Sequence, residues 1–286
     1  MRKIISWLMA AMLSLFPLVG GQIAQADELS LLAFNVGKAD SLLLRSGDST
    51  YLIDTARAKH WDFLEENLKS LGVTKLDGVL ITHMDSDHVG GLKKLLKSDI
   101  EIEHIYVPAF FFPEDGESKE NPAEKAATKQ KREVEYLQGG DEIPLSGGSI
   151  QVLGPITPAT DKEDNNSLVL FVQAAGGSML LAGDMEFPEE QTLLQAGVVP
   201  QADILKVANH GDDDATSEAF LSQVQPKVAI ISTSTEEKAS TPAPRTLKAL
   251  QKWQAEIYQT QETEIGVLVS VKDGEISVEM LSGGEL

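Results

Sequence analysis

The sequence predicts a layered α/β domain, with helices outside two β-rich halves. Three observations predict it. Short runs rich in Val, Ile and Leu recur at strand length along the chain. Segments with helical apolar spacing lie between many of them. A strand meander gives way to strand–helix alternation, and the same order returns in the second half.

In the first half the strand-like runs are Leu29–Val36, Ser41–Arg45, Tyr51–Ile53, Gly78–Thr82 and Ile102–Val107. Two helices interrupt them. His60–Leu71 places Trp61, Leu64, Leu68 and Leu71 on one face, and Val89–Leu96 carries Leu92, Leu95 and Leu96 around Lys93 and Lys94. In the second half the runs are Ile150–Leu153, Leu168–Val172, Ser178–Leu181, Ile204–Val207, Val228–Ser232, Ile265–Val271 and Ile276–Met280. Phe187–Gln195, Thr216–Val224 and Pro242–Trp253 read as helices, the last with Thr241 as its N-cap. Pro113–Glu135 breaks the composition with a dense mixture of Glu, Asp, Lys and Arg. It reads as a charged insertion (113–137) with one exposed helix over about Pro122–Leu137, or as a lid over a site, with Phe110–Phe112 as its apolar hinge or a contact patch.

Residues 1–26 read as a secretory signal peptide. Arg2 and Lys3 precede an apolar stretch, Ile4–Val19, and Ala24–Gln25–Ala26 supplies a small–x–small cleavage site before Asp27. The stretch is short for a membrane span and Pro17 interrupts it, so no stable span is expected after cleavage. Residues 27–286 then form one domain of a secreted or envelope protein. The 286-residue chain is 42% hydrophobic, enough for a sizeable core, and has no Cys, which removes disulfides, thiolate nucleophiles and cysteine-based metal sites. Its 44 acidic and 24 basic residues give a net charge of −20, which argues against a broad nucleic-acid or anionic-membrane face and leaves room only for a local basic track. Oligomeric state is not specified.

The most informative segment is Leu80-Ile81-Thr82-His83-Met84-Asp85-Ser86-Asp87-His88-Val89-Gly90-Gly91. An apolar strand ends at Thr82, and His83, Asp85, Asp87 and His88 follow on one loop before a pair of glycines opens a helix. Asp87 and His88, adjacent in sequence, point in different directions and suit two neighbouring cations. His60 and His104 read as ordinary surface or packing residues.

This His-x-Asp-x-Asp-His pattern resembles the metallo-β-lactamase superfamily, and within it the extracytoplasmic hydrolase domain of ComEC competence proteins and their stand-alone relatives. Phe34–Ser41, Leu52–Thr55, Asn165–Leu170, Leu180–Asp184 and Leu205–Gly211 match further family elements in order. The resemblance implies a four-layer αββα sandwich with one or two divalent metal ions, Zn or Mn, at one edge of the sheets. It implies His83 and Asp85 at one metal position, Asp87, His88 and His210 at the other, and a bridging Asp184. Asp87 and Asp184 would then be the catalytic carboxylates. Asp54 would orient a ligand His, or merely cap a turn; Asn166, Lys206 and Asn209 would support the metals or face substrate. Three departures stand out: Asn209 replaces the first His of a His-His-Gly pair, Ser240–Pro244 lacks a late His, and Lys38 replaces Gln.

The resemblance implies a metal-activated hydroxide acting on a phosphodiester, such as DNA or another envelope polymer. Lys38, Arg57, Lys93, Lys94, Lys97 and Lys206 are the candidates for a basic track, although the Lys93–Lys97 set also reads as a solvated helix face. A small ester, lactone or lactam fits the acidic charge better, with a β-lactam disfavoured by Asp85 and Asn166. The departures motivate another class: a catalytically weak extracellular binding protein on the same scaffold.

Overall fold

Alternation along β1 (Glu28–Phe34) sorts its side chains between two cores. Leu29, Leu31 and Ala33 face one side while Leu32 and Phe34 face the other, and all are buried. A strand covered on both faces belongs in the middle of a layered structure, and β1 sits inside the larger of two sheets. The computed structural model describes residues 28–113 and 120–283, so the leader expected over 1–26 lies outside the described residues.

From β1 the chain runs through β2 (Leu42–Ser46), β3 (Ser49–Ile53), β4 (Lys75–Leu80), β5 (Glu101–Pro108) and β6 (Glu135–Leu137). It continues through β7 (Glu142–Leu145), β8 (Gly148–Gly154), β9 (Val169–Ala174), β10 (Gly177–Leu181), β11 (Ile204–Lys206), β12 (Val228–Ile231) and β13 (Glu256–Gln259), and closes with β14 (Gly266–Lys272) and β15 (Glu275–Leu281). The first sheet has the order β15-β14-β1-β2-β3-β4-β5-β6 and the second β13-β12-β11-β10-β9-β8-β7. Each is half meander and half parallel. β1, β2 and β3 pair antiparallel, then β3 to β6 run parallel; β7 to β10 pair antiparallel, then β10 to β13 run parallel.

Helices cover the outer faces. The α1 (Trp61–Ser70), α2 (Ser86–Val89), α3 (Leu92–Leu95) and α4 (Pro122–Lys129) helices pack on the first sheet through Trp61, Leu64, Leu68, Val89, Leu92, Leu95 and Ala123. The α5 (Phe187–Ala196), α6 (Glu218–Val224) and α7 (Pro244–Lys252) helices cover the second through Leu193, Phe220, Leu221, Val224 and Leu250. Between the sheets lies a third core, including Leu31, Leu44, Leu80, Leu170, Val172, Leu181 and Ile230. The result is the expected αββα sandwich. Among the described residues no helix is long and apolar enough to cross a membrane.

Several elements differ from expectation. The expected helix Val89–Leu96 is two short helices. A side-chain carbon at Gly91 would lie 2.2 Å from the Thr55 carbonyl oxygen, so the backbones touch there and only glycine fits. The helix expected over Pro122–Leu137 stops at Lys129 and β6 follows; moreover α4 is not merely exposed, since it buries Ala123, Ala126 and Ala127. Asn121 caps it, accepting from the Ala123 and Glu124 amides. Thr241 does not cap α7, whose N-cap is Ala243; the Thr241 hydroxyl donates to the Lys238 carbonyl instead.

Candidate metal centre

Asp54 organises the first half of the site. It follows β3 in a left-handed conformation (φ 61°), which Asp tolerates better than most residues, and its amide still donates to the Leu80 carbonyl at 2.8 Å. The carboxylate is fully buried. Its Oδ1 accepts from the Thr82 amide at 2.7 Å, and its Oδ2 accepts from the Thr82 hydroxyl at 2.7 Å and from His88 Nδ1 at 2.7 Å. An ionised carboxylate only accepts, so the proton sits on His88 Nδ1 and the second ring nitrogen, Nε2, is turned inward. The Thr55 amide and hydroxyl both donate to the His88 carbonyl, at 2.7 and 2.9 Å, and fix its backbone. His83 lies beside it, fully buried, with ring centroids 4.1 Å apart.

The second sheet supplies the other half. β10 leads into Ala182–Gly183–Asp184, where Gly183 has φ 53° and the Asp184 amide donates to Ser167 Oγ at 3.1 Å. Beyond β11, Asn209 and His210 both take left-handed backbone (φ 44° and 53°), a conformation costing about 1–3 kcal/mol per residue that persists only where the surroundings impose it. The turn splits their side chains. His210 Nδ1 donates to the Ser232 carbonyl at 2.8 Å and sends Nε2 to within 3.0 Å of Asp184 Oδ2. Asn209 faces away, donating to Asp214 Oδ1 at 3.2 Å and Glu186 Oε1 at 3.4 Å. The Asn at the first position of the His-His-Gly pair therefore removes no group from the cluster. The segment without the late His, Ser240–Pro244, packs on this turn, with the Ala243 amide donating to the Gly211 carbonyl.

Among the described residues, five groups of side chains offer donor atoms within 4.8 Å of one another: His83, His88 and Asp184; Asp87, His88 and His210; Asp40, Asp54 and His88; Asp40, Asp184 and His210; and His83, Asp85 and Asp164. His88 Nε2 is 3.3 Å from Asp184 Oδ2, and His83 Nε2 is 3.6 Å from Asp164 Oδ1. Nε2 of all three histidines, Oδ1 of Asp184 and Oδ1 of Asp40 are buried without hydrogen-bond partners. Buried polar atoms are rarely left so, and here they converge on one place as lone pairs, the chemistry of a cation site.

Without a cation, the surrounding carboxylates draw a proton onto the His88 imidazole, and a bound metal would take the place of that proton. Burial disfavours the His88 imidazolium, but Asp184 and Asp54 on either side outweigh it and hold its pKa well above the ordinary value. Burial would raise Asp184, yet His210 and His88 hold it well below the usual carboxylate range. Asp87 is held by Arg57 Nη2 at 2.9 Å. Lys206, fully buried, pairs with Asp40 at 2.7 Å; burial raises that carboxyl, and Lys206, His210 and His88 together bring it below its ordinary value. Lys162 binds Asp164 Oδ2 at 2.9 Å, leaving Oδ1 toward His83.

The structure thus brings together His83, Asp85, Asp87, His88, Asp184 and His210, with Asp54 and Lys206 behind them. Asn166 sits apart from these groups: it is spent within its loop on the Ala159 amide and carbonyl and on Glu163. Asp40, Asp164 and Glu163 are not singled out by the sequence, whereas Arg57, a candidate for the basic track, lies against Asp87. Asp40 lies inside the Phe34–Ser41 motif, and Glu163 and Asp164 directly precede the Asn165–Leu170 motif, so adjacency was the available signal. Glu163 accepts from the Met84 amide at 3.0 Å and the Phe112 amide at 2.7 Å, bracing the ligand loop, and burial pushes its carboxyl up to about 7. His104 lies apart, paired with Glu135 at 2.5 Å, and Lys93, Lys94 and Lys97 are exposed.

The family model described as "Metallo-beta-lactamase superfamily" matches residues 35–235. "ComE operon protein 3" of Bacillus subtilis is 32% identical over 195 residues, covering 68% of this chain and 25% of that protein. "Recombination protein 2" of Haemophilus influenzae is 33% identical over 157 residues, covering 55% and 18%. The chain spans a quarter or less of the length of these relatives. Among solved structures, the metallo-β-lactamase fold protein YhfI from Bacillus subtilis superposes with a TM-score of 0.53 at 13% identity, over 85% of this chain and 99% of that one.

Proposed function

The chain belongs to the metallo-β-lactamase superfamily, and from that premise we propose that it is an exported, metal-dependent hydrolase of phosphodiesters. The observation that supports this best is the convergence of three buried, unpartnered imidazole Nε2 atoms on Asp184. His83, Asp85 and Asp164 would hold one cation and Asp87, His88 and His210 the other, with Asp184 between them. When bound, one or two such ions supply the Lewis acidity that hydrolysis near neutral pH requires. The donors mix imidazole with carboxylate, which suits Zn²⁺ and, through the carboxylate share, Mn²⁺.

The protein's own residues do the positioning. Asp54 and the Ser232 carbonyl each take an Nδ1–H, fixing His88 and His210 as Nε2 donors. Arg57 holds Asp87 and presents a cation at the rim, where an anionic phosphate would be met. The resemblance to ComEC-type competence proteins, and a relative named for recombination, support a nucleic-acid diester. The leader-like sequence of residues 1–26 supports export. A neutral ester is the second reading, favoured by the net charge of −20.

The test is metal analysis of the purified protein with hydrolysis of bis(4-nitrophenyl) phosphate, DNA and a neutral aryl ester under added Mn²⁺ or Zn²⁺. Asp87→Ala and Asp184→Ala should each lower diester turnover roughly a hundredfold or more. A protein that binds no transition metal and cleaves no diester would overturn the proposal; cleavage of the ester alone would favour the second reading.

A further inference from the structure

One carboxylate at the rim of the centre is gripped from three sides. Glu237, on the loop after β12, accepts from the Lys38 amide at 3.0 Å, from Arg57 Nη1 at 3.0 Å and from Lys59 Nζ at 2.8 Å. These donors come from two other loops. Lys38 lies in the turn after β1, and Arg57 and Lys59 lie in the segment between β3 and α1. The turn is shaped around the carboxylate: Gly37 has φ 74°, and a side-chain carbon there would meet Glu237 Oε2 at 2.9 Å. Partial burial would raise the Glu237 carboxyl, but Lys59 and the Lys38 amide, with Arg57, hold it below its ordinary value.

Arg57 connects this notch to the centre. Its Nη1 reaches Glu237 and the Lys38 carbonyl while its Nη2 reaches Asp87 Oδ2 at 2.9 Å. One guanidinium therefore spans from a residue of the metal cluster to the occupant of the notch. A main-chain amide, a guanidinium fork and an ammonium converging on one anion are also the donors that recognise phosphate. The side chains remain open to solvent, at 30% for Arg57, 60% for Lys59 and 29% for Glu237, so the occupant can be exchanged. The loop is anchored on both sides of Glu237, by Thr235 to Gln261 and by Lys238 to Asp212, so a side-chain rotation vacates the notch without moving the loop.

We propose that the Lys38 amide, Arg57 and Lys59 form a subsite for a second phosphate of a phosphodiester polymer, next to the one being cleaved, and that Glu237 fills it in the absence of substrate as an internal phosphate mimic. This rests on the phosphodiesterase reading and adds where a polyanion is held on an acidic protein. Two contiguous phosphates can exchange for the Glu237 carboxylate; a lone diester has no second anion with which to displace it.

The test measures binding apart from turnover. The probe is a fluorescein-labelled tetrathymidylate with phosphorothioate linkages, titrated by anisotropy against the metal-loaded protein. Glu237→Gln should bind it roughly fivefold more tightly, the factor one exposed charge interaction is worth, and Lys59→Gln about as much more weakly. The ratio of kcat/KM for a tetrathymidylate to that for bis(4-nitrophenyl) phosphate should rise in Glu237→Gln and fall in Lys59→Gln. Unchanged affinity and an unchanged ratio in both variants would overturn the subsite while leaving the phosphodiesterase reading intact. Opposite affinity shifts in a protein that cleaves no diester would support the subsite and sink the phosphodiesterase reading.

Discussion

At the scale of single residues, Asp54 shows how one buried carboxylate sets the chemistry of a neighbour. It takes the Thr82 amide and hydroxyl and the His88 Nδ1–H at once. Asp54→Asn keeps the size and the tolerance for left-handed backbone, but replaces an acceptor with a donor. Either Thr82 or His88 then loses its partner. Metal affinity should fall about 10- to 100-fold, read by competition with a chromogenic chelator. Unchanged affinity would reduce Asp54 to a turn residue. The His83–His88 cluster was legible in the sequence because two His and two Asp on one loop are rare in a chain with five His. Asp40 and Asp164 were not, because Asp is common in this chain and their partners lie far away in sequence: Asp40 meets Lys206, and Asp164 meets His83.

At the scale of elements, α5 carries a carboxylate with a measurable signature. Glu189 is buried, its Oε1 has no partner, and burial pushes its carboxyl up to about 7 against the pull of the Ile156 amide. Between its ordinary value of about 4.5 and about 7 the folded chain holds a proton that the unfolded chain has released. Stability therefore falls as pH rises through that window and stays lower above it. Glu189→Gln should flatten part of this slope and be more stable than the parent at pH 8 by urea unfolding; an unaltered slope would refute the shift. Glu163 and Glu186, also raised to about 7, retain the rest. Central strands were readable because both faces are apolar, as in β9. The strands that escaped notice, β6, β7 and β13, lie at sheet edges, where alternate positions face water and the apolar run is broken by Glu135, Glu142, Pro144 and Glu256. The α2–α3 break was equally hidden, because the Gly91 amide there donates to the distant Ala56 carbonyl, with the Thr55 carbonyl packed against Gly91.

At the scale of the whole molecule, each sheet brings half of the centre. Asp54, His83 and His88 follow strands of the first sheet, and Asp184 and His210 follow strands of the second. A bound cation therefore links the two halves, and stripping it with a chelator should lower Tm by roughly 5–10 °C at a hundredfold excess of metal over Kd, reversed by adding metal back. An unchanged Tm would mean the halves hold together without it. The layered architecture was legible from element order, but the return of β14 and β15 to pair beside β1 was not, since periodicity names a strand's faces and not its neighbour.

The four sheet edges also bear on how these molecules meet one another. β15 exposes Glu275 and Glu279, β6 Glu135, β7 Glu142 and β13 Glu256. Each open margin thus presents carboxylates where a strand from another copy would have to add. Strand addition between copies would bring these margins together, so part of the acid surplus opposes it by repulsion. When those groups take up protons the repulsion is lost, and the unpaired backbone along the same margins becomes a template for strand addition.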